Sequence, residues 1–148
     1  MHKLSLRVMT EADIDVVVPL FMEHNNKYED CQYTYEKAYK RIHQVWNRED
    51  SLCMVLTGEE QILGFVTGFF EQYDDLTVYD LWEIMVSHDR QGQGLGTKFM
   101  EMIEDEVKQR GASMIQLISV NDEMHHHFYG KLGYGNCSNL VLKSKFLK

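Results

Sequence analysis

The chain has 148 residues, 44% hydrophobic and 26% charged with a single proline, which suits one domain of the common ~100 to 150 residues and excludes a disordered or fibrous protein. No apolar run reaches the ~18 to 20 residues of a membrane helix, and the opening MHKLSLRVMTEADID turns acidic before a signal-like segment can form, so a cytoplasmic protein is expected. The net charge of −8 is concentrated in residues 49–89, which hold ten carboxylates and no lysine or arginine. That argues against a nucleic-acid or anionic-membrane surface there and favours a cationic partner, with a solubilising face as the plain alternative.

Leu4, Leu6 and Val8 alternate with polar neighbours as in a half-buried strand, and Thr10 with Asp13 marks a helix start. Ile14, Val17, Val18, Phe21 and Met22 fall on one helical face, within which Pro19 is expected to kink or divide the helix. After a polar link at 24–33, Tyr35, Ala38, Tyr39, Ile42, Val45 and Trp46 recur at helical spacing, ending near Arg48. Residues 51–56 and 62–70 read as strands joined by the turn Gly58-Glu59-Glu60, with Gly64 and Gly68 as candidate bulges. Residues 77–86 form a long third strand, so an antiparallel meander is expected.

The glycine-rich link 90–96 opens a helix striped by Phe99, Met100, Ile103 and Val107 and closed by Arg110 and Gly111. An apolar strand at 114–120, a short helix at 122–131 ended by Gly133, and a last strand at 140–146 with outward lysines complete the chain. The expected fold is α/β (α+β): a single domain over 1–148 with a mixed, mostly antiparallel central sheet flanked by helices. Cys31, Cys53 and Cys137 are widely spaced and form no C-x-x-C pair, so neither a disulfide framework nor a thiolate zinc site is indicated; buried free thiols are expected.

Between strand and helix stands Arg90-Gln91-Gly92-Gln93-Gly94-Leu95-Gly96-Thr97. A helix start preceded by residues without side chains offers several N–H groups to one anion, and phosphate is the natural ligand. The spacing G-x-G-x-G departs from the dinucleotide fingerprint G-x-G-x-x-G, and Lys98 follows Thr97 where a Walker loop needs the reverse order. A ligand-free connection is the plain alternative.

These residues resemble the GCN5-related N-acetyltransferase (GNAT) family, whose signature Q/R-x-x-G-x-G/A is matched by Gln91-Gly92-Gln93-Gly94-Leu95-Gly96. A second family element is matched downstream by Phe128-Tyr129-Gly130-Lys131-Leu132-Gly133-Tyr134, and the order of strands and helices is similar over nearly the whole chain. The resemblance implies acetyl-coenzyme A as cosubstrate. It places the pyrophosphate on the amides of Gln91, Gly92, Gln93, Gly94, Gly96 and Thr97, and the thioester against a bulged strand near Ile84, Met85 and Val86. An exposed N–H in a distorted strand is an oxyanion donor that needs no particular side chain.

Acetyl transfer to an amine needs a group to take the amine proton and another to protonate the leaving thiolate. Tyr129 matches the family's tyrosine facing the sulfur, with packing as its alternative role. Glu83 matches an acid that removes the amine proton directly or through water, with a solvent-facing glutamate as the alternative. Asn121 stands one residue before the position where relatives often carry asparagine, which Asp122 fills here, and His126 lines the cofactor pocket by spacing. His125, His126 and His127 are consecutive on a helix, point ~100° apart and cannot converge on one ion, so no metal site is expected.

The leading expectation is an acetyl-coenzyme A-dependent N-acetyltransferase whose acceptor is a small cationic amine, polyamine or aminoglycoside-like. Acids Glu29, Asp30, Glu71, Asp74 and Asp75 and the rings of Tyr28, Tyr33 and Tyr73 lie on segments that flank the acceptor entrance in this family. Alternatives are a protein acetyltransferase acting on an N-terminus or lysine, and a non-catalytic acyl-coenzyme A sensor. No nucleic acid or membrane partner is expected, and a homodimer is allowed for.

Overall fold

The computed structural model describes residues 3–90 and 92–147, which divide into two compact units, one running to Ile118 and one from Ser119. In the first, strands β1 (Ser5–Val8), β2 (Met54–Gly58), β3 (Gln61–Gln72), β4 (Thr77–Val86) and β5 (Met114–Leu117) form one sheet in that spatial order. Strands β1 to β4 pair antiparallel, whereas β5 returns parallel to β4 after the helix α3 (Leu95–Gln109). The mixed, mostly antiparallel sheet and its meander are therefore as the sequence indicates.

Helices α1 (Glu11–Met22) and α2 (Tyr35–Trp46) bury Ile14, Val17, Val18, Phe21, Ala38, Ile42 and Val45 against Val55, Phe65, Phe69 and Met85 of the sheet. Strand alternation turns Leu56 and Val66, also buried, to the opposite face. The α3 stripe of Phe99, Met100, Ile103 and Val107 is buried as expected. Helix α1 is tied to β1 where Arg7 donates twice to Asp13, at 2.7 and 3.0 Å, and the Thr10 N–H donates to the same carboxylate at 2.7 Å. The guanidinium holds the Asp13 carboxyl down at about 2.

Pro19 does not divide its helix. It lies on the exposed side, so the Asp15 carbonyl that it leaves without an N–H faces water, and the chain runs on from α1 into a π-helical turn, Glu23–Tyr28. Strand β2 begins at Met54 rather than residue 51, although single bonds carry the pairing further back: the Cys53 carbonyl accepts the Met9 N–H at 2.8 Å and the Leu52 N–H donates to the Gly68 carbonyl at 2.9 Å. Ser51 keeps an isolated bridge to Phe69. Strand β5 stops at Leu117, and Ile118 beyond it is 77% exposed.

The β2–β3 hairpin closes at Gly58↔Gln61 with Glu59 and Glu60 both left-handed, at φ 54° and 61°. Such primed turns favour glycine at the second position, and a left-handed side chain costs ~1 to 2 kcal/mol. Glu60→Gly is therefore expected to stabilise the protein by ~1 kcal/mol, read as a raised urea midpoint at unchanged slope. An unchanged or lower midpoint would show that the turn carries no removable strain.

Two register shifts shape the sheet, at Leu56/Thr57 and at Thr67/Gly68. The second leaves Trp82 as an extra residue on β4, since Thr67 pairs with Glu83 and Gly68 with Leu81. Gly68 is required there: a Cβ would lie 2.5 Å from the Tyr79 ring, whose hydroxyl donates to the Leu52 carbonyl at 2.7 Å.

In the second unit, helix α4 (Glu123–Lys131) starts at Asp122, whose side chain accepts the His125 N–H at 2.8 Å. The expected strand at 140–146 is not formed. Leu140, Val141 and Leu142 are 63 to 76% exposed and pair with no strand among the described residues, so an alternating pattern exists there without a ladder to satisfy it. Of the three free thiols only Cys53 is buried; Cys31 is half-buried and Cys137 exposed, which corrects the expectation for those two. Among the described residues no helix is long and apolar enough to cross a membrane.

Candidate active site

The shift at Trp82 decides where Glu83 points. In an unbroken strand Leu81, Glu83 and Met85 would share a face, but the extra residue puts Glu83 opposite Thr67 and Leu81 opposite Gly68, hence on opposite faces. Glu83 and Met85 thus turn toward α1 and α2, and the solvent-facing alternative for Glu83 does not hold: its side chain is only 18% exposed. Burial raises the Glu83 carboxyl above its ordinary value, and the nearby Arg41 opposes that rise.

Arg41 comes from α2, with Nε donating to Glu83 Oε1 at 3.2 Å and the guanidinium carbon 5.1 Å from the Trp82 ring centroid. Across the ladder Thr67 is fully buried, and its hydroxyl has no hydrogen-bond partner among the described residues. No sequence pattern announces this cluster, because Arg41 and Glu83 stand 42 residues apart and meet only through the fold. A second unforeseen group is Asp80, whose carboxyl is pushed up to about 6 by burial and by the hydrogen bond it shares with Glu71, against the pull of Arg48 and the Trp82 indole.

Strand β4 runs past its neighbour, since the ladder with β5 ends at Leu81↔Leu117 while β4 continues to Val86. Ile84 and Val86 are half-buried and Met85 is buried. After a 3₁₀ turn, His88–Arg90, the glycine loop enters α3. Gly92 and Gly94 hold φ of 81° and 71°, a Cβ on either would meet nothing within 4 Å, and Gly94 sits at the N-cap with no side-chain cap. Gln93 is exposed, and Gly96 and Thr97 lie in the first turn of α3. Gln91 lies outside the described residues. First-turn amides that no side chain caps, on a loop with open space around it, fit a phosphate-bearing group.

In the second unit Tyr129 is half-buried on α4, its ring 5.0 Å edge-on from Phe128 and 5.8 Å from Tyr134. Two other expected residues meet there, as His126 Nε2 donates to Asn121 Oδ1 at 2.6 Å. His125 instead bonds Asp122 through Nδ1 at 2.7 Å.

The segments expected to flank the acceptor carry mixed charge. Tyr28 stacks on His88 at 4.0 Å with the Lys27 ammonium 5.5 Å from its own centroid, and His24 reaches Glu29 at 3.6 Å and His88 at 3.2 Å. Tyr33 packs edge-on against Phe21 at 4.7 Å and, with Cys31, Gln32 and Lys37, lines an open pocket of about 290 Å³. Tyr73 is 43% exposed beside the exposed Asp74 and Asp75.

Residues 18–134 match the Acetyltransferase (GNAT) family, and the chain belongs to it. It is 32% identical over 81 residues, 54% of its length, to the uncharacterized protein YxbD of Bacillus subtilis, and 24% identical over 136 residues, 88% of its length, to an uncharacterized N-acetyltransferase of Methanocaldococcus jannaschii. The matched part of the chain spans 47% and 60% of those relatives' own lengths. Among solved structures the fold is similar to a possible acetyltransferase from Clostridium difficile, at a TM-score of 0.84 and 11% identity over 98% of this chain and 99% of that one. It is also similar to an aminoglycoside acetyltransferase from an uncultured soil metagenome in complex with sisomicin, at 0.75 and 16% identity over 98% and 97%.

Proposed function

We propose that this chain is a cytoplasmic N-acetyltransferase acting as one catalytic domain, taking acetyl from acetyl-coenzyme A and passing it by direct attack to a primary amine carried on a small cationic acceptor. The observation that carries the reading is the bulge at Trp82, which turns the carboxylate of Glu83 inward on a strand that outruns its neighbour toward an uncapped glycine-loop helix. Coenzyme A supplies the acetyl thioester. The amides of Gly92 to Thr97 bind its phosphates, together with Gln91 by position in the motif, while Asn121 and His126 line its pocket. Amides of the Ile84 to Val86 segment donate to the thioester carbonyl as charge builds on its oxygen.

Glu83 takes the proton that the attacking amine must lose, directly or through water, and a carboxyl raised by burial is better matched to that task near neutral pH than an ordinary one. The phenol of Tyr129 then protonates the departing sulfur. Acids Asp30, Asp74 and Asp75, with Glu29, supply attraction for a polycation over the ~8 to 10 Å that salt leaves unscreened. Aminoglycoside binding by the soil enzyme is compatible with such an acceptor.

The test is a panel of polyamines, aminoglycosides, amino acids, neutral amines and peptide N-termini, assayed by release of coenzyme A thiol. Cationic small amines are expected to give the highest kcat/KM, falling with salt and with Asp74→Asn/Asp75→Asn. Higher kcat/KM for neutral or acidic amines, or indifference to both salt and neutralisation, would overturn the acceptor class. A preference for peptides would make it a protein acetyltransferase, and coenzyme A binding without turnover on any amine would make it a sensor.

A further inference from the structure

Arg41 holds Glu83 in the manner expected of a ligand rather than of a permanent structural partner. The contact is one-pointed, through Nε at 3.2 Å, where a guanidinium can offer a carboxylate two parallel bonds. The Arg41 side chain is 34% exposed and that of Glu83 18%, so the cation reaches in from the solvent side and can withdraw. The guanidinium also lies over the Trp82 ring, and a carboxylate beside an indole is a setting that also suits an ammonium group. Thr67, directly opposite Glu83, holds a buried hydroxyl with no hydrogen-bond partner among the described residues, a donor on the same face of the sheet as the carboxylate when the guanidinium leaves.

We propose that Arg41 is a specificity-determining residue: a built-in cation that occupies the Glu83 and Trp82 site until the ammonium group of the acceptor displaces it. The inference rests on the acetyltransferase reading above. An acceptor without positive charge cannot make this exchange, so selection for a cation is located at the base itself and not only in the surrounding acids. Among the described residues, Arg41 from α2 and the Tyr33 phenol from the segment before it act on Glu83, and Cys31 acts on Tyr33. With Arg41 in place its positive charge opposes the rise that burial imposes on the carboxyl. Once the guanidinium has gone, the same carboxylate faces an ammonium that can hand it a proton, and the amine nitrogen is then free to attack.

The experiment compares wild type, Arg41→Gln and Arg41→Lys, using spermidine as the probe amine. Removal of the internal competitor should lower the KM for spermidine ~3- to 10-fold in Arg41→Gln at a pH above the acid limb, with a smaller change in kcat. The acid limb of kcat/KM should move to higher pH, because burial then acts on Glu83 unopposed, and Arg41→Lys should restore the wild-type limb. Spermidine calorimetry without coenzyme A should show the same tightening. If no amine is acetylated but Arg41→Gln still binds spermidine more tightly than wild type, the exchange site stands and the catalytic reading falls. If acetylation proceeds while Arg41→Gln leaves KM and the limb unmoved, or raises KM, the exchange is wrong and Arg41 is a scaffold or binds an acceptor's anion.

Discussion

Tyr129→Phe is expected to slow acetyl transfer ~10²- to 10⁴-fold, the usual worth of a positioned general acid, while coenzyme A affinity stays within ~2-fold. The edge-on packing of the Tyr129 ring on Phe128 and Tyr134 is kept by phenylalanine, and the Tyr134 N–H accepted by the Tyr129 carbonyl at 3.0 Å belongs to the backbone. What is lost is one hydroxyl, and a departing thiolate without a proton donor is the step that should feel it. Rates measured where chemistry limits turnover decide the matter, and wild-type turnover in the variant would assign Tyr129 to packing alone.

Gly94→Glu should weaken coenzyme A binding at least ~100-fold, because a carboxylate at the N-cap competes for the amides that the phosphates need. Space is not the obstacle, since a Cβ at Gly94 meets nothing within 4 Å. Its φ of 71° adds strain of ~1 kcal/mol for any side chain, so Gly94→Ala serves as the control that carries strain without charge. Calorimetry with coenzyme A should show a small loss for alanine and a large one for glutamate. Equal binding by the glutamate variant would remove the loop from the site.

Local periodicity made most of this fold legible. The stripes of α1, α2 and α3 and the bounds of β4 are properties of consecutive residues, and each is found where its spacing places it. Errors fall where a partner rather than a pattern decides. Residues 140–146 alternate without a ladder to join among the described residues. The site divides in the same way: the glycine loop is a contiguous motif, so the sequence displays it whole. The inward turn of Glu83 depends on a register shift against β3, and its pairing with Arg41 on helix packing; neither leaves a mark in the residues themselves.

The π-helical turn at Glu23–Tyr28 bears on how this region can change over evolutionary time. Helix α1 is pinned before it by four buried apolar side chains, and the chain after it is pinned where Asn26 donates to the Tyr33 carbonyl at 2.9 Å and accepts the Tyr33 N–H at 2.8 Å. The wider turn takes up one residue more than an α-turn would, and Asn25 Nδ2 donates to the Phe21 carbonyl at 3.0 Å within it. Between two fixed anchors, the turn is the slack of the chain: a residue can be gained or lost there while α1 keeps its buried face and α2 keeps Arg41 on Glu83. A single-residue gap at this place in a family alignment therefore marks a change of helix type, not a break in descent.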